Sequence, residues 1–239
     1  YALVDRKAEI VTPFIYDKIK LFNRGGALAY REGSYYFLSS TGKEIVPVYN
    51  EDDIKDTKYF IAVTYRNAEN RSDKVELYSY DGKLINTYKG YQMFHFTWDD
   101  KVASIKNRDG YIMVDTLGNK ISELNVRSVS ADGILDYGLN FHNNKAVARK
   151  SDRYGVIDVK GDIIIPFNYK RLDNLLGTEG ENVYVIRDEN FNEGLLMEGN
   201  PQPTSIKYKK LYCYSPFFIK GEGSDGREGI ISLEGKELT

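Results

Sequence analysis

Residues 154–169 read YGVIDVKGDIIIPFNY: an apolar strand, a turn closed by Gly161, a second apolar strand, and Pro166 with Tyr169 just beyond it. Within the first strand Tyr154, Val156 and Asp158 fall on one face and Gly155, Ile157 and Val159 on the other, which is the period of a β-strand. The pattern returns as YYFLSSTGKEIVPVY from Tyr35, YIMVDTLGNKISEL from Tyr111 and EGIISLEGKELT from Glu228. The turn glycines Gly42, Gly82, Gly118, Gly161 and Gly235 are spaced by 40, 36, 43 and 74 residues, the last being two intervals. A period of about 20 to 50 residues marks a repeat architecture, in which each unit buries its apolar face only against its neighbours.

Ser39, Ser79, Asp115, Asp158 and Ser232 each stand three residues before a turn glycine. Asp or Ser opening a type I turn accepts backbone N–H bonds from residues just ahead, and Gly at the fourth position supplies the left-handed backbone. The spacing predicts a three-residue hairpin loop with a bulge. Seven such turns are placed if Ala8 stands for Gly in the first and Asn200 in the sixth. Asn tolerates positive φ and Ala does so poorly, so the first turn is expected to differ in geometry. After each turn comes a strand such as Glu44–Pro47 or Asp162–Pro166, with Pro marking a strand end or an edge, and then Tyr16, Tyr49 or Tyr169. Leading strands are read at Ala27–Arg31, Phe60–Tyr65, Val102–Lys106, Ala146–Lys150, Val183–Arg187 and Phe217–Lys220. Insertions at Ser128–Asn144 and Asn174–Asn182 are where specificity is expected. The fold expected is all-β, a single repeat domain over residues 1–239 of six to seven three- to four-stranded meander units. A propeller-like ring would leave no exposed edges. An open β-solenoid is the alternative, because the chain starts inside a first-hairpin strand at Tyr1 and ends just after the equivalent hairpin at Gly235, a duplication that a ring accommodates awkwardly.

The 33 basic and 35 acidic side chains nearly cancel, which leaves no electrostatic footprint for nucleic acid or an anionic membrane surface. The longest aliphatic stretch, Ile163–Ile165, is far short of a membrane-spanning segment. A single cysteine, Cys213, excludes an internal disulfide framework and reads as a small buried thiol. Because the chain opens at Tyr1 without Met, it reads as a mature or trimmed product.

The chain resembles the bacterial WG β-repeats, whose unit runs Gly-Lys-Trp-Gly-Tyr-Ile-Asp, a turn with Gly, an apolar strand ending in Pro, then Tyr-Asp. Arg153-Tyr154-Gly155-Val156-Ile157-Asp158 with Gly161, Pro166 and Tyr169 carries the likeness most fully. Tyr1, Tyr35, Tyr111 and Tyr154 take the Trp position, followed by a small residue at Ala2 and Gly155, as also at Gly194 and Gly229. The Trp-Gly pair itself never occurs, and the one Trp, Trp98, lies elsewhere. The resemblance implies a bacterial, often exported repeat module with no catalytic residues to carry over, hence an extracytoplasmic location: periplasmic, associated with the outer membrane or secreted.

Candidate chemistry is thin. Only His95 and His142 are available as bases, and neither lies in a nucleophile context. Glu51-Asp52-Asp53 and Asp99-Asp100 lack the ligand spacing of a calcium loop and read as solvated turns. Gly221-Glu222-Gly223-Ser224-Asp225-Gly226 lacks the Lys-Ser/Thr and helix of a phosphate loop and reads as a hairpin turn. Asn70-Arg71-Ser72 is a sequon in a polar loop. No metal, cofactor or catalytic residue is assigned. The notable enrichment is aromatic, with 20 Tyr, 11 Phe and one Trp, most of them expected in the core. Tyr88, Tyr91 and Trp98 are the candidates for rim anchors that hold a protein partner or a glycan. A non-enzymatic binding or scaffold module at a bacterial cell envelope is the first reading, and a carbohydrate-binding or carbohydrate-cleaving domain with two facing carboxylates the alternative.

Overall fold

The computed structural model describes residues 1–239 except 49, 66–72, 92, 97–100, 108, 129–138, 140, 175–182, 200–202, 205, 216 and 239. The first sheet holds β1 (Lys18–Leu21), β2 (Ala27–Arg31), β3 (Ser34–Leu38) and β4 (Glu44–Val48). The second holds β5 (Ile54–Asp56), β6 (Ile61–Tyr65), β7 (Lys74–Tyr78) and β8 (Leu84–Lys89). The third holds β9 (Met93–Phe96), β10 (Ala103–Lys106), β11 (Tyr111–Val114) and β12 (Lys120–Leu124). The fourth holds β13 (Arg127–Ser128), β14 (Lys145–Lys150), β15 (Arg153–Asp158) and β16 (Ile163–Tyr169). The fifth holds β17 (Arg171–Asn174), β18 (Val183–Arg187) and β19 (Glu193–Met197), and the sixth β20 (Lys210–Ser215), β21 (Phe218–Glu222) and β22 (Glu228–Ser232). All are antiparallel meanders of strands consecutive in sequence, so the repeat rhythm read from the turns is the strand order of the fold. A narrow hairpin at the start of the chain, bridged Val4 to Ile10, repeats the turn-bearing pair of strands once more.

The turns follow their predicted chemistry. Asp158 Oδ1 accepts the N–H groups of Lys160 and Asp162 at 2.8 and 2.9 Å, and the Gly161 N–H reaches the Asp158 carbonyl at 3.0 Å. The ladder slips by a bulge just before each such turn, between Phe37 and Leu38, Leu77 and Tyr78, and Met113 and Val114. The first turn corrects its expectation. Ala8 sits at φ +64, with Asp5 Oδ1 taking the Lys7 and Glu9 N–H groups at 2.8 and 2.9 Å, so the turn keeps the common geometry and Ala8 bears the strain. Asn200 lies outside the described residues; Gly199, one position earlier, has φ +82. A further turn of this kind joins β18 to β19, where Asp188 opens it and Phe191 takes φ +65. Pro47 and Pro166 lie inside β4 and β16, both edge strands, the place in a sheet where a missing N–H is tolerated.

Turn glycines also join one repeat to the next. A Cβ on Gly82 would stand 2.2 Å from Ile45 Cδ1, one on Gly118 3.0 Å from Ile85 Cγ2, and one on Gly42 2.6 Å from Val11 Cγ1. Each turn is thus seated on the strand that follows the preceding turn. The tyrosine beyond the Pro acts as a clamp across the same junction. Tyr16 donates its hydroxyl to Glu44 Oε1 at 2.7 Å, and Tyr208 to Glu237 Oε1 at 2.9 Å, an acid two residues past the next turn glycine in both cases. Burial beside that acceptor pushes both phenols up to about 12.

The chain divides into two compact units, Tyr1–Leu124 and Asn125–Thr239. The division falls between the third and fourth sheets. In the first unit Leu28, Phe37 and Val48 pack on Ile54, Ile61, Val63 and Tyr78, and Phe60, Ala62, Val75 and Leu77 pack on Ala103, Ile105, Ile112 and Val114. In the second, Val156 and Ile165 meet Tyr184, Ile186 and Leu196, and Val183, Val185 and Leu195 meet Leu211, Ile219 and Ile231. Covered on both faces, β6, β11 and β18 are continuous apolar runs rather than alternating ones. Each such aliphatic or aromatic side chain contributes about 1.5–3 kcal/mol on burial.

Candidate binding site

In the first sheet the two-residue turn Glu32-Gly33, with φ of +50 and +82, sets Tyr30 directly opposite Tyr35. Their rings lie 4.8 Å apart at 54°. Lys18 on β1 pairs with Tyr30 and Val48 on β4 with Tyr35, so one cross-strand row reads Lys18, Tyr30, Tyr35, Val48. Beside this row lies a depression of about 310 Å³, lined by Tyr1, Lys18, Ile19, Lys20, Leu28, Tyr30, Tyr35 and Glu51. Glu51 opens the 3-10 turn Glu51–Asp53 and meets Lys20 Nζ at 2.5 Å. That hydrogen bond holds the Glu51 carboxyl below its ordinary range and the Lys20 ammonium above its own. The pair is exposed and salt-screened, so opening it costs little. Lys18 pairs with no acid among the described residues. The depression therefore offers tyrosine faces, an available ammonium and a single carboxylate already engaged, which is a surface for holding a group rather than the facing acid pair of glycoside cleavage.

A second depression of about 250 Å³ lies on the sixth sheet between Tyr208, Gly221, Gly223, Asp225, Arg227, Glu228, Gly229, Ile231 and Glu237. Its acids are spoken for: Glu228 by Lys220 at 2.5 Å and the Tyr212 hydroxyl at 3.0 Å, Glu237 by Lys207 at 2.7 Å and the Tyr208 hydroxyl. These bonds hold both carboxyls low, whereas a general acid near neutral pH needs a raised one.

Of the three aromatics singled out in the sequence, Tyr88 and Tyr91 are core residues in the structure, 7% and 8% exposed, with rings 6.4 Å apart edge to face between the second and third sheets. Tyr88 donates to the Gly118 carbonyl at 2.7 Å, again a clamp onto the next turn, so its hydroxyl is used within the fold and not at a rim. Trp98, Asp99-Asp100, the sequon at 70–72, Tyr49 and most of both insertions lie outside the described residues. His142 is exposed in the turn before β14, and His95 lies on β9 opposite Ser104. Cys213 is half-buried rather than buried, its thiol donating to the Ser215 carbonyl at 3.2 Å. Asp53 is 3% exposed, against the solvated turn expected there. The Gly221–Gly226 segment is the hairpin read from the sequence, with the Gly226 N–H on the Gly223 carbonyl at 3.0 Å. No group of three or more His, Cys, Asp or Glu placed to hold a metal occurs among the described residues. Among the described residues no helix is long and apolar enough to cross a membrane. The residues missed by sequence reasoning are Lys18, Tyr30 and Glu51; the signal for Tyr30 was its placement across a two-residue turn from Tyr35.

The family described as the WG containing repeat matches residues 1–36 and 154–180, the first segment holding Lys18, Tyr30 and Tyr35 and the second Tyr154 and Tyr169. No curated protein matches the chain. Among known structures the chain is similar to Hsv2 of Kluyveromyces lactis, at 9% identity and TM-score 0.40 over 95% of this chain and 84% of that one. It is also similar to the WD40 β-propeller domain of Doa1, at 12% identity and TM-score 0.33 over 77% and 64% of the two chains. A eukaryotic initiation factor matches at 10% identity and TM-score 0.40 over 100% of this chain and 72% of that one.

Proposed function

We propose that these WG containing repeats form a non-enzymatic binding or scaffold module that engages a protein partner at a bacterial cell envelope. The observation that supports the reading is the first-sheet depression, where the tilted pair Tyr30 and Tyr35 adjoins Lys18, whose ammonium pairs with no acid among the described residues. Tyrosine faces give contact area at low entropic cost, and an adjacent lysine selects a carbonyl or acidic group on the partner. The framework around it is rigid repeat packing, so the surface is presented without rearrangement.

The test is capture from native envelope extract with the wild-type chain and with a Lys18→Glu, Tyr30→Ala variant. A partner retained by the wild type and lost at least tenfold by the variant supports the reading; equal retention by both removes the depression from it. Binding of purified glycans with no protein captured would replace the protein partner with a carbohydrate. Fractionation of the source cell checks location, and recovery of the chain in the cytosolic fraction would overturn the envelope assignment.

A further inference from the structure

Across the fourth sheet one row of cross-strand neighbours reads Arg127, Arg149, Tyr154, Tyr169. Across the fifth sheet the corresponding row reads Arg171, Arg187, Glu193, Tyr208. The two rows differ in one respect: where the fifth has Glu193, the fourth has Tyr154. Both set two arginines directly opposite each other, an arrangement that repels unless an acid intervenes. In the fifth row the acids are present. Arg171 Nε meets Asp173 Oδ2 at 2.8 Å, and Glu193, 3% exposed, takes Arg187 through Nε at 3.1 Å and through Nη2, and takes the Leu211 N–H at 2.6 Å. In the fourth row neither Arg127 nor Arg149 has an ion pair among the described residues, and the Nε of Arg149 is buried with no hydrogen-bond partner. A buried guanidinium N–H without an acceptor is costly, and natural structures rarely retain one without a use.

The geometry points to the Arg127–Arg149 pair as a binding site for a carboxylate carried by an acidic side chain of a polypeptide partner. The fifth row identifies the ligand chemistry, since the group that completes the same arginine pair there is a carboxylate held by two N–H bonds of one guanidinium. Arg127 is exposed and Arg149 half-buried, so an incoming acid meets a mobile charge first and an oriented one behind it. Tyr154, at the position of the family's aromatic, leaves the pair unsatisfied; an acid there would close it. This adds a second contact to the binding reading and rests on it only for the polypeptide that carries the acid.

The test follows the arginine Nε–H resonances of the full chain by NMR during titration with acetyl-tetraglutamate amide, and with its glutamine counterpart as control. Arg149 is expected to shift saturably with the glutamate peptide and not with the glutamine one. Arg127→Gln should weaken the response at least tenfold, Tyr154→Glu should abolish it by supplying an internal acid, and Tyr154→Phe should leave it intact, with the backbone amide spectrum verifying the fold of each. A linear, unsaturated shift overturns the proposal, as does a response unchanged in Arg127→Gln or Tyr154→Glu, or equal saturation by inorganic phosphate. A saturable Arg149 response in a chain that captures no protein leaves the carboxylate site standing and removes the module reading instead; capture without any Arg149 response does the reverse.

Discussion

The fourth and fifth sheets are built on the same plan and resolved in opposite ways. Each sets an arginine opposite an arginine, followed along the same row by Tyr154 or Glu193 and then by Tyr169 or Tyr208. Glu193 at the aromatic position turns the fifth row inward: its carboxylate is buried, neutralises Arg187 and ties β19 to the backbone of β20. With Tyr154 at that place the fourth row holds no acid, and neither Arg127 nor Arg149 has an ion pair among the described residues. A single side chain therefore decides whether a row stabilises the junction between repeats or faces a ligand, while the scaffold under both is unchanged.

Removing the acid of the fifth row has the largest effect expected. Glu193→Ala leaves Arg187 and the Leu211 N–H without partners inside the protein and should cost about 3–5 kcal/mol in urea unfolding. A loss under 1 kcal/mol would break the contrast between the rows. The shared scaffold is tested next by Gly155→Ala and Gly194→Ala. A Cβ on Gly155 would lie 2.7 Å from the Ile165 carbonyl oxygen, and one on Gly194 2.9 Å from Ile206 Cγ1. Both should lose about 1–3 kcal/mol by overpacking, which accounts for the small residue at these two positions.

Alkaline pH separates the two tyrosines that end these rows. A phenol whose folded pKa lies above its unfolded value keeps its proton in the native state while the unfolded chain loses it, so the stability it contributes is whole below pH 10 and falls as pH rises towards 12. Tyr208→Phe should flatten that fall. Tyr169 is raised by burial alone, with no acid acceptor, and Tyr169→Phe should flatten it less. Ala8→Gly relieves a left-handed alanine at φ +64, roughly 1–2 kcal/mol of strain, against about 0.4–1 kcal/mol of added unfolded-chain entropy, and should stabilise by up to about 1 kcal/mol in thermal unfolding. Smallest is Arg127→Gln, expected within about 0.5 kcal/mol of wild type and on the stabilising side, because it removes a like-charge neighbour and breaks no ion pair among the described residues.

Much of this was legible in the chain. The turn residues Asp158 and Gly161 act within a few positions of one another, so their pattern can be read without knowing what packs on them, and the leading strands at Ala27–Arg31 and Val183–Arg187 emerged with the boundaries the sequence suggested. The aromatics were misjudged where partner and residue are far apart. Tyr88 looks like a rim anchor until Gly118, thirty residues on, is seen to accept its hydroxyl.

The sequence by itself determined the repeating unit, because turn chemistry, strand period and the glycine after the aromatic are local properties of the backbone. Only the tertiary structure decided which charges meet. Arg127 and Arg149 are brought opposite each other by register across two strands joined through the insertion at Ser128–Asn144, and whether a carboxylate reaches them depends on which side chain of β15 shares their row. That is set by a pleat of period two, in which a shift of one residue would turn Tyr154 to the other face.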